Sequence, residues 1–446
     1  MKTLIKNATI VNEGLSFRGS VVIENDTIAD ILKNPCDCEN IKADTIIDAE
    51  NLTLLPGIID VHVHFREPGM THKADIHSET VAAAAGGVTS FMDMPNNIPL
   101  TSTIQQLENK YNLAKEKSII NYSFYLGATN DNLHEIKNID AENVCGIKVF
   151  MGSSTGNMLV DNQKILEKIF AQSPIPIVAH CEDEDIINNN ILLYNNQLGD
   201  NIPFSYHNKI RSEESCIKST KRAIELAEKY GTRLHIAHVS TGKEIDLLAA
   251  VSKNKYISSE TCPHYLWFCD NDYYEKTWQI KCNPAIKTQS DRTILQQAIA
   301  SGIINVISTD HAPHLIDEKN NVYTKSPSGL PSVQHSLNIM LKLVRNNAFT
   351  IETVAETMCH NPARIFAIEK RGFIRKGYKA DIVLINTNKN WKLEKSDILH
   401  KCAWSPFENI IFNSKVTHTF VNGKLIYHNG KIDESARGER LRFERE

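Results

Sequence analysis

The chain has 446 residues, 23% of them charged, and its acidic and basic residues nearly cancel to a formal net charge of -4. This balance provides no broad positive field for a nucleic-acid backbone or an anionic membrane, so we expect neither as a partner. The sequence contains no run of about eighteen apolar residues, so we expect no transmembrane helix. The polar start at residues 1–7 does not resemble a secretory signal. We therefore expect a cytoplasmic protein.

The ten cysteines are scattered, and Cys36-Asp37-Cys38 is the one close pair. In a chain without a secretory signal we expect reduced thiols rather than a disulfide framework. A cysteine metal site would need a second cysteine pair at zinc spacing, and the sequence has none.

Both ends of the chain, residues 1–54 and 371–446, alternate short apolar and polar runs with turn residues, as in 19–26 and 417–426. This pattern predicts β-strands. Neither end is long enough for a sandwich of its own. We therefore expect one small composite β-sandwich domain built from both ends, beside a domain formed by residues 55–370.

Eight β-like runs recur in the middle of the chain, at 58–64, 88–93, 121–126, 145–150, 175–180, 233–239, 255–260 and 303–309. Amphipathic helical stretches separate most of them, among them 78–85, 103–116, 214–230 and 291–300. Strand and helix alternating eight times predict an α/β protein with a (β/α)8 TIM barrel. The long intervals before Arg233 and Ile303 predict inserted segments at the rim of the barrel.

His62 and His64 stand two apart in the first run, so both imidazoles leave the same face of the strand. Taken alone, the pair fits either metal binding or two core histidines bonded to the backbone. His180, His238 and Asp310 stand at or near the ends of three further runs. Because the carboxyl ends of barrel strands meet at one face, we expect these side chains to converge on metal.

Five ligands exceed what one zinc ion needs, and two metals that share a bridging group account for the surplus. Lys148, in the apolar run 145–150, is the candidate bridge. An ammonium group would be costly there, whereas a lysine carboxylated by carbon dioxide offers two oxygen donors. A lysine that snorkels or pairs with a carboxylate is the alternative.

Several short motifs resemble, in order, those of dihydroorotases within the amidohydrolase superfamily. They are HVHFREPG at 62–69, DMPN at 93–96, GIKVFM at 146–151, AHCE at 179–182, AHVST at 237–241, CPH at 262–264, NP at 283–284, STDHAPH at 308–314, NPAR at 361–364 and GYKAD at 377–381. The resemblance runs over nearly the whole chain and implies a binuclear zinc centre. It implies His62 and His64 on one ion, His180 and His238 on the other, carboxylated Lys148 and a hydroxide as bridges, and Asp310 as ligand and catalytic residue.

The resemblance also implies substrate contacts. Arg66 and Asn96 occupy the places that grip the substrate carboxylate, which a guanidinium fork suits by geometry and charge. His314 and Asn283 complete the pocket, and Gly329 lies in a loop that offers backbone contacts to the pyrimidine. The sequence departs from the family pattern at Ala285 and at 332–335.

Three other histidines, His235, His264 and His311, are expected to be structural or to orient the ligands.

The implied activity is the reversible cyclisation of N-carbamoyl-L-aspartate to L-dihydroorotate with loss of water, the third step of pyrimidine synthesis. Asp310 would act as general base and then as general acid. Hydantoinase, dihydropyrimidinase and allantoinase share the metal ligands and remain alternatives, as does a catalytically inactive scaffold. The expected partners are a small-molecule substrate and, as one candidate assembly, a second copy of the chain in a homodimer.

Overall fold

The computed structural model describes residues 1–34, 38, 41–152, 158–199 and 201–445. Cys36 and Asp37 of the close cysteine pair lie outside these ranges. Within them no two cysteines are joined by a disulfide. No helix in the described part of the chain combines the length and the apolar character that crossing a bilayer requires.

Eight parallel strands form a barrel at the positions of the eight β-like runs, which confirms the predicted (β/α)8 fold. They are Ile58–Val63, Val88–Asp93, Asn121–Phe124 continued by Leu126–Gly127, Ile147–Phe150, Ile177–His180, Leu234–Ile236, Ile257–Thr261 and Val306–Ile307. Neighbours in this order pair in parallel register. A parallel bridge between Val63 and His311 closes the ring from the last strand to the first.

Helices connect the strands and cover the barrel. The α-helices are Ile76–Ala85, Ile104–Lys117, Leu133–Lys137, Gln163–Gln172, Glu184–Leu198, His207–Ile210, Glu213–Tyr230, Gly242–Val251, Pro263–Trp267, Tyr273–Lys276, Gln289–Ala300, Ile316–Lys319, Ser336–Arg345, Ile351–Ala355 and Asn361–Phe366. Short 3-10 helices lie at Phe204–Tyr206, Asp270–Asp272, Thr277–Ile280, Val333–His335 and Lys395–Asp397, and a π-helix lies at Glu356–His360. All four helical stretches expected from the sequence are present.

Side-chain caps explain where several of these helices begin. Asp75, Thr103 and Thr288 each accept a hydrogen bond from the backbone three residues ahead, at the starts of Ile76–Ala85, Ile104–Lys117 and Gln289–Ala300. Such caps satisfy backbone N–H groups that the first helical turn leaves without partners.

The two chain ends meet in one nine-stranded sheet. Its order is Lys431–Ile432, Lys424–His428, Lys415–Val421, Ile382–Asn386, Thr53–Pro56, Lys2–Asn12, Leu15–Glu24 and Thr27–Leu32, with Thr45–Asp48 also paired to Lys2–Asn12. A separate pair joins Trp391–Lys392 to Ile411–Phe412.

The composite β-sandwich domain has an apolar core of its own, to which both ends contribute. Ile5, Ile10 and Val21 pack there with Ile382 and Phe420. Since Thr53–Pro56 pairs with Ile382–Asn386, the first and last parts of the chain are joined at the middle of the sheet. The exact domain division, 1–54 with 371–446 against 55–370, stays a prediction.

Candidate active site

A cavity of about 510 Å³ lies where the barrel strands end. Every site residue named from the sequence lines it: His62, His64, Arg66, Asn96, Lys148, His180, His238, Asn283, Asp310, His314 and Gly329. The structure therefore brings the expected ligands and the expected substrate contacts to one place. Their individual roles stay predictions.

His62 and His64 converge on the carboxylate of Asp310. The Nε2 atoms of the two rings lie 3.3 and 3.1 Å from Asp310 Oδ1. Their other nitrogens are held from behind, because His62 Nδ1 lies 2.5 Å from Glu260 Oε1 and His64 Nδ1 lies 2.7 Å from Asn96 Oδ1. These outer acceptors fix each ring with its Nε2 atom towards Asp310.

His180 and His238 face each other across the same cavity. His180 Nδ1 lies 2.9 Å from His238 Nε2, while His180 Nε2 donates to Glu182 over 2.9 Å. His238 Nδ1 is buried without a hydrogen-bond partner. The two rings thus turn one nitrogen each towards a common point.

Lys148 is fully buried, and its ammonium group has no hydrogen-bond partner. Burial lowers the pKa of Lys148 to about 8, although the charges of Glu260 and Asp310 oppose that shift. An isolated buried ammonium is costly, and a neutral amine is the form that reacts with carbon dioxide. The geometry fits the expected carboxylation better than a snorkelling or ion-paired lysine.

The protonation states suit metal binding. Burial lowers the pKa of His64, His180 and His238, so these imidazoles are neutral at neutral pH. Burial would raise the pKa of Asp310, but the His62 and His64 imidazoles hold it below its usual range. Neutral imidazoles and a carboxylate are the ligand forms that divalent cations need.

Donor atoms of His62, His64 and Asp310 lie within 4.8 Å of one another, and all three residues are buried. Together with the Lys148 Nζ atom that lacks a partner, this donor set fits a metal centre.

Left-handed backbone marks three residues of the cavity. Arg66, His238 and Asp310 have φ angles of 66°, 39° and 44°. Residues with a Cβ rarely adopt this conformation, and it persists where surrounding contacts impose it, often at functional sites.

The expected substrate residues line the same cavity. Arg66 donates through Nε to the Pro313 carbonyl over 3.1 Å, and its Nη2 lies 3.1 Å from His314 Nε2. Asn283 Oδ1 is buried without a partner. At Gly329, φ is 133° and a Cβ would lie 2.5 Å from the Ala312 carbonyl, so no side chain fits there.

Two carboxylates that hold the histidines were not singled out from the sequence. Glu260 lies near the end of the seventh strand and also contacts His235 Nε2 at 3.2 Å. Glu182 accepts two hydrogen bonds from the guanidinium of Arg211. Both glutamates are buried. Their position at or just after the end of a predicted barrel strand was the available signal, since a buried carboxylate needs donors.

The three remaining histidines differ in their surroundings. His235 bonds Ser258 and Glu260, and His311 bonds Glu79 through Nε2 at 2.9 Å. His264 is buried with neither ring nitrogen paired. Glu79, His311 and His400 also lie close enough to hold a cation, but the carboxylate already accepts from both rings.

The barrel brings imidazoles, a carboxylate and a buried lysine together at its strand ends. This is the architecture of a barrel hydrolase. The profile of the amidohydrolase family matches residues 53–426. The chain belongs to the amidohydrolase family.

Several dihydroorotases have a similar sequence. The dihydroorotase of Methanosphaera stadtmanae is 33% identical over 417 residues, 93% of this chain and 94% of that protein. The dihydroorotase of Methanosarcina acetivorans is 30% identical over 456 residues, 98% of this chain and 94% of that protein.

Among solved structures, the L-hydantoinase (dihydropyrimidinase) from Arthrobacter aurescens matches with a TM-score of 0.91 at 24% identity, over 97% of both chains. At that identity the likeness supports the fold alone.

Proposed function

We propose that this cyclic-amide hydrolase is a dihydroorotase, which reversibly closes N-carbamoyl-L-aspartate to L-dihydroorotate with loss of water in pyrimidine synthesis. The observation that carries the proposal is the pair formed by Arg66 and His314, whose Nη2 and Nε2 atoms lie 3.1 Å apart in the cavity that Asp310 also lines. A ring that bears a carboxylate matches this pair, because a guanidinium and an imidazole N–H both donate to carboxylate oxygens. The dihydroorotase relatives support the same substrate.

The proposed cofactor is a pair of zinc ions. His62 and His64 would hold one ion and His180 and His238 the other, with carboxylated Lys148 between them and Asp310 alongside. When bound, the ions would bring the pKa of a shared water near neutrality and polarise the ring carbonyl. Glu260, Asn96 and Glu182 keep the outer nitrogens of three of these rings occupied, which leaves the inner nitrogens for metal.

The residues of the chain then divide the remaining work. Arg66 and His314 bind the substrate carboxylate and orient the ring. In the ring-opening direction Asp310, a carboxylate at neutral pH, accepts the proton of the attacking water at Oδ1 and delivers it to the departing amide nitrogen, and ring closure reverses these steps. Glu182 and Glu260 hold the imidazoles in place while the proton moves.

A substrate panel tests the proposal. We expect turnover of L-dihydroorotate and N-carbamoyl-L-aspartate, and little turnover of hydantoin, dihydrouracil or allantoin. Asp310→Asn is the matched control, since it removes the proton acceptor and keeps the side-chain shape. Turnover of hydantoin, dihydrouracil or allantoin without dihydroorotate would assign the protein to a different cyclic amidase.

Elemental analysis tests the cofactor separately. We expect zinc in stoichiometric amount in active protein, and its absence, together with no turnover of any ring in the panel, would favour an inactive scaffold. The cytoplasmic location and the homodimer stay predictions, which fractionation and sedimentation test.

A further inference from the structure

Lys73 lies beside the cavity and was not singled out from the sequence. It lines the same space as Arg66 and His314, and its side chain is only 14% exposed. Its Nζ atom lies 3.1 Å from His314 Nδ1 and 3.2 Å from Glu318 Oε1. Lys73 therefore contacts the back of the imidazole whose front faces the cavity.

The contacts of His314 indicate which of its ring nitrogens carries the proton. An ammonium group can only donate, so the Lys73 contact at Nδ1 requires the hydrogen on Nε2, whereas the Arg66 guanidinium at Nε2, which also only donates, fits the opposite tautomer. The Ser328 carbonyl near Nε2 can only accept, so two of the three contacts favour the hydrogen on Nε2. That hydrogen is well placed, because Nε2 lies 3.1 Å from the Ser328 carbonyl. In the opposite tautomer Nδ1 would need Glu318 as acceptor at 3.6 Å, which is too long for a hydrogen bond.

This tautomer places two donors face to face. Arg66 Nη2 lies 3.1 Å from the protonated Nε2 of His314. Neither group can accept from the other, but a carboxylate beside the pair would accept from Arg66 and compete with the Ser328 carbonyl for the Nε2 hydrogen. The pair is thus arranged for a carboxylate.

We propose that Lys73 is a positioning residue that holds His314 as a donor, so that the pocket selects rings bearing a carboxylate over neutral rings. The inference rests on the proposed function, whose site it extends. Lys73 acts through His314 and not as a free charge, since Glu318 offsets its charge.

Two variants of matched length separate the hydrogen bond from the charge. Lys73→Gln keeps an N–H donor and loses the charge, whereas Lys73→Met loses both. Lys73→Arg keeps both. We expect Lys73→Met to lower kcat/KM for dihydroorotate about tenfold, mainly through KM, with Lys73→Gln intermediate and Lys73→Arg close to the unmodified protein.

Dihydrouracil, the same ring without the carboxylate, serves as the second ligand, as substrate or competitive inhibitor. Its affinity should change less than about twofold in all three variants. If Lys73→Gln and Lys73→Met lose dihydroorotate equally while Lys73→Arg does not, charge alone matters and the proposal is overturned. Equal losses for both rings would overturn it as well.

Nitrogen-15 NMR of labelled histidine reads the tautomer directly, with His314→Gln to assign the signal. We expect an Nε2–H imidazole in the unmodified protein and a shift towards Nδ1–H in Lys73→Met. An unchanged tautomer in Lys73→Met would overturn the proposal even if activity falls. A protein that does not turn over dihydroorotate would refute the proposed function, while this measurement would still decide the role of Lys73.

Discussion

His400 donates through Nδ1 to Glu79 Oε2 over 3.0 Å, which links a late segment of the chain to the first helix of the barrel. The same oxygen accepts from His311 Nε2, next to Asp310, and Glu79 Oε1 accepts from the backbone of Lys401. The side chains of Glu79, His311 and His400 are fully buried. Burial would raise the pKa of Glu79, but the two imidazole donors hold it below its usual range.

Glu79→Gln should therefore destabilise the protein. In either orientation the amide would turn its NH2 group towards another donor, the two imidazoles on one side or the Lys401 backbone N–H on the other, and it would weaken hydrogen bonds that the carboxylate charge strengthens. We expect a loss of about 3 kcal/mol in the free energy of unfolding, measured by urea denaturation. Glu213→Gln, which breaks the exposed pair with Lys243, is the control and should change stability far less. Equal effects of the two variants would refute the structural role of the buried group.

Lys148→Ala should lose most activity and bound zinc, and short carboxylic acids should restore part of both. An acid that diffuses into the space left by the side chain can supply the two oxygens of the missing carbamate. Activity and zinc content are measured with increasing acetate or propionate. Lys110→Ala is the matched control, because Lys110 is equally buried but pairs with Asp93 and no acid should rescue it. Unchanged turnover of Lys148→Ala without added acid would make this lysine merely structural.

Gly329→Ala should impair catalysis without unfolding the protein. The new Cβ would meet the Ala312 carbonyl at 2.5 Å and lie 3.2 Å from the His314 ring, so the loop must move away from the pocket. Moving a substrate contact by about 1 Å can lower kcat/KM about 100-fold. Gly430→Ala is the control, since its φ is also positive but nothing lies within 4 Å of its Cβ position. Steady-state kinetics and a melting curve for each variant decide the matter.

Acid should destabilise the folded protein from about pH 6.5 downwards. Burial lowers the pKa of His264, His311 and His418 to about 4 each, whereas an unfolded histidine titrates near 6.5. Between these values the unfolded chain binds more protons, so the free energy of unfolding falls as pH falls. Each such histidine adds up to about 1.4 kcal/mol per pH unit to the slope.

His418 offers a test of this slope outside the cavity. His418→Gln should make the dependence of stability on pH shallower between pH 6.5 and 4. His72→Gln, whose side chain is 56% exposed, should leave the slope unchanged. A slope that His418→Gln does not alter would contradict the explanation.

Local patterns predicted the strands and the ligands that stand on them. The alternation around His62 and His64, and the apolar runs ending at His180 and Asp310, carry their own signal because strand geometry fixes which way side chains point. The partners behind the imidazoles carry no such signal. Glu260 reaches His62 across 198 positions of sequence, and His400 reaches Glu79 across 321. Pairings of this kind depend on how the whole barrel closes.

The tautomer of His314 could not be predicted from the sequence either. His314 could be recognised as a pocket residue, but its proton depends on Lys73 in another loop, and that contact arises only once the cavity is assembled.

The joining of both chain ends at the middle of one sheet constrains synthesis of the protein. Thr53–Pro56 pairs along one edge with Ile382–Asn386, so that edge has no native neighbour until the ribosome has made the whole barrel. During elongation this open strand can pair with a foreign strand, and shielding by a chaperone would help early intermediates reach the native sheet.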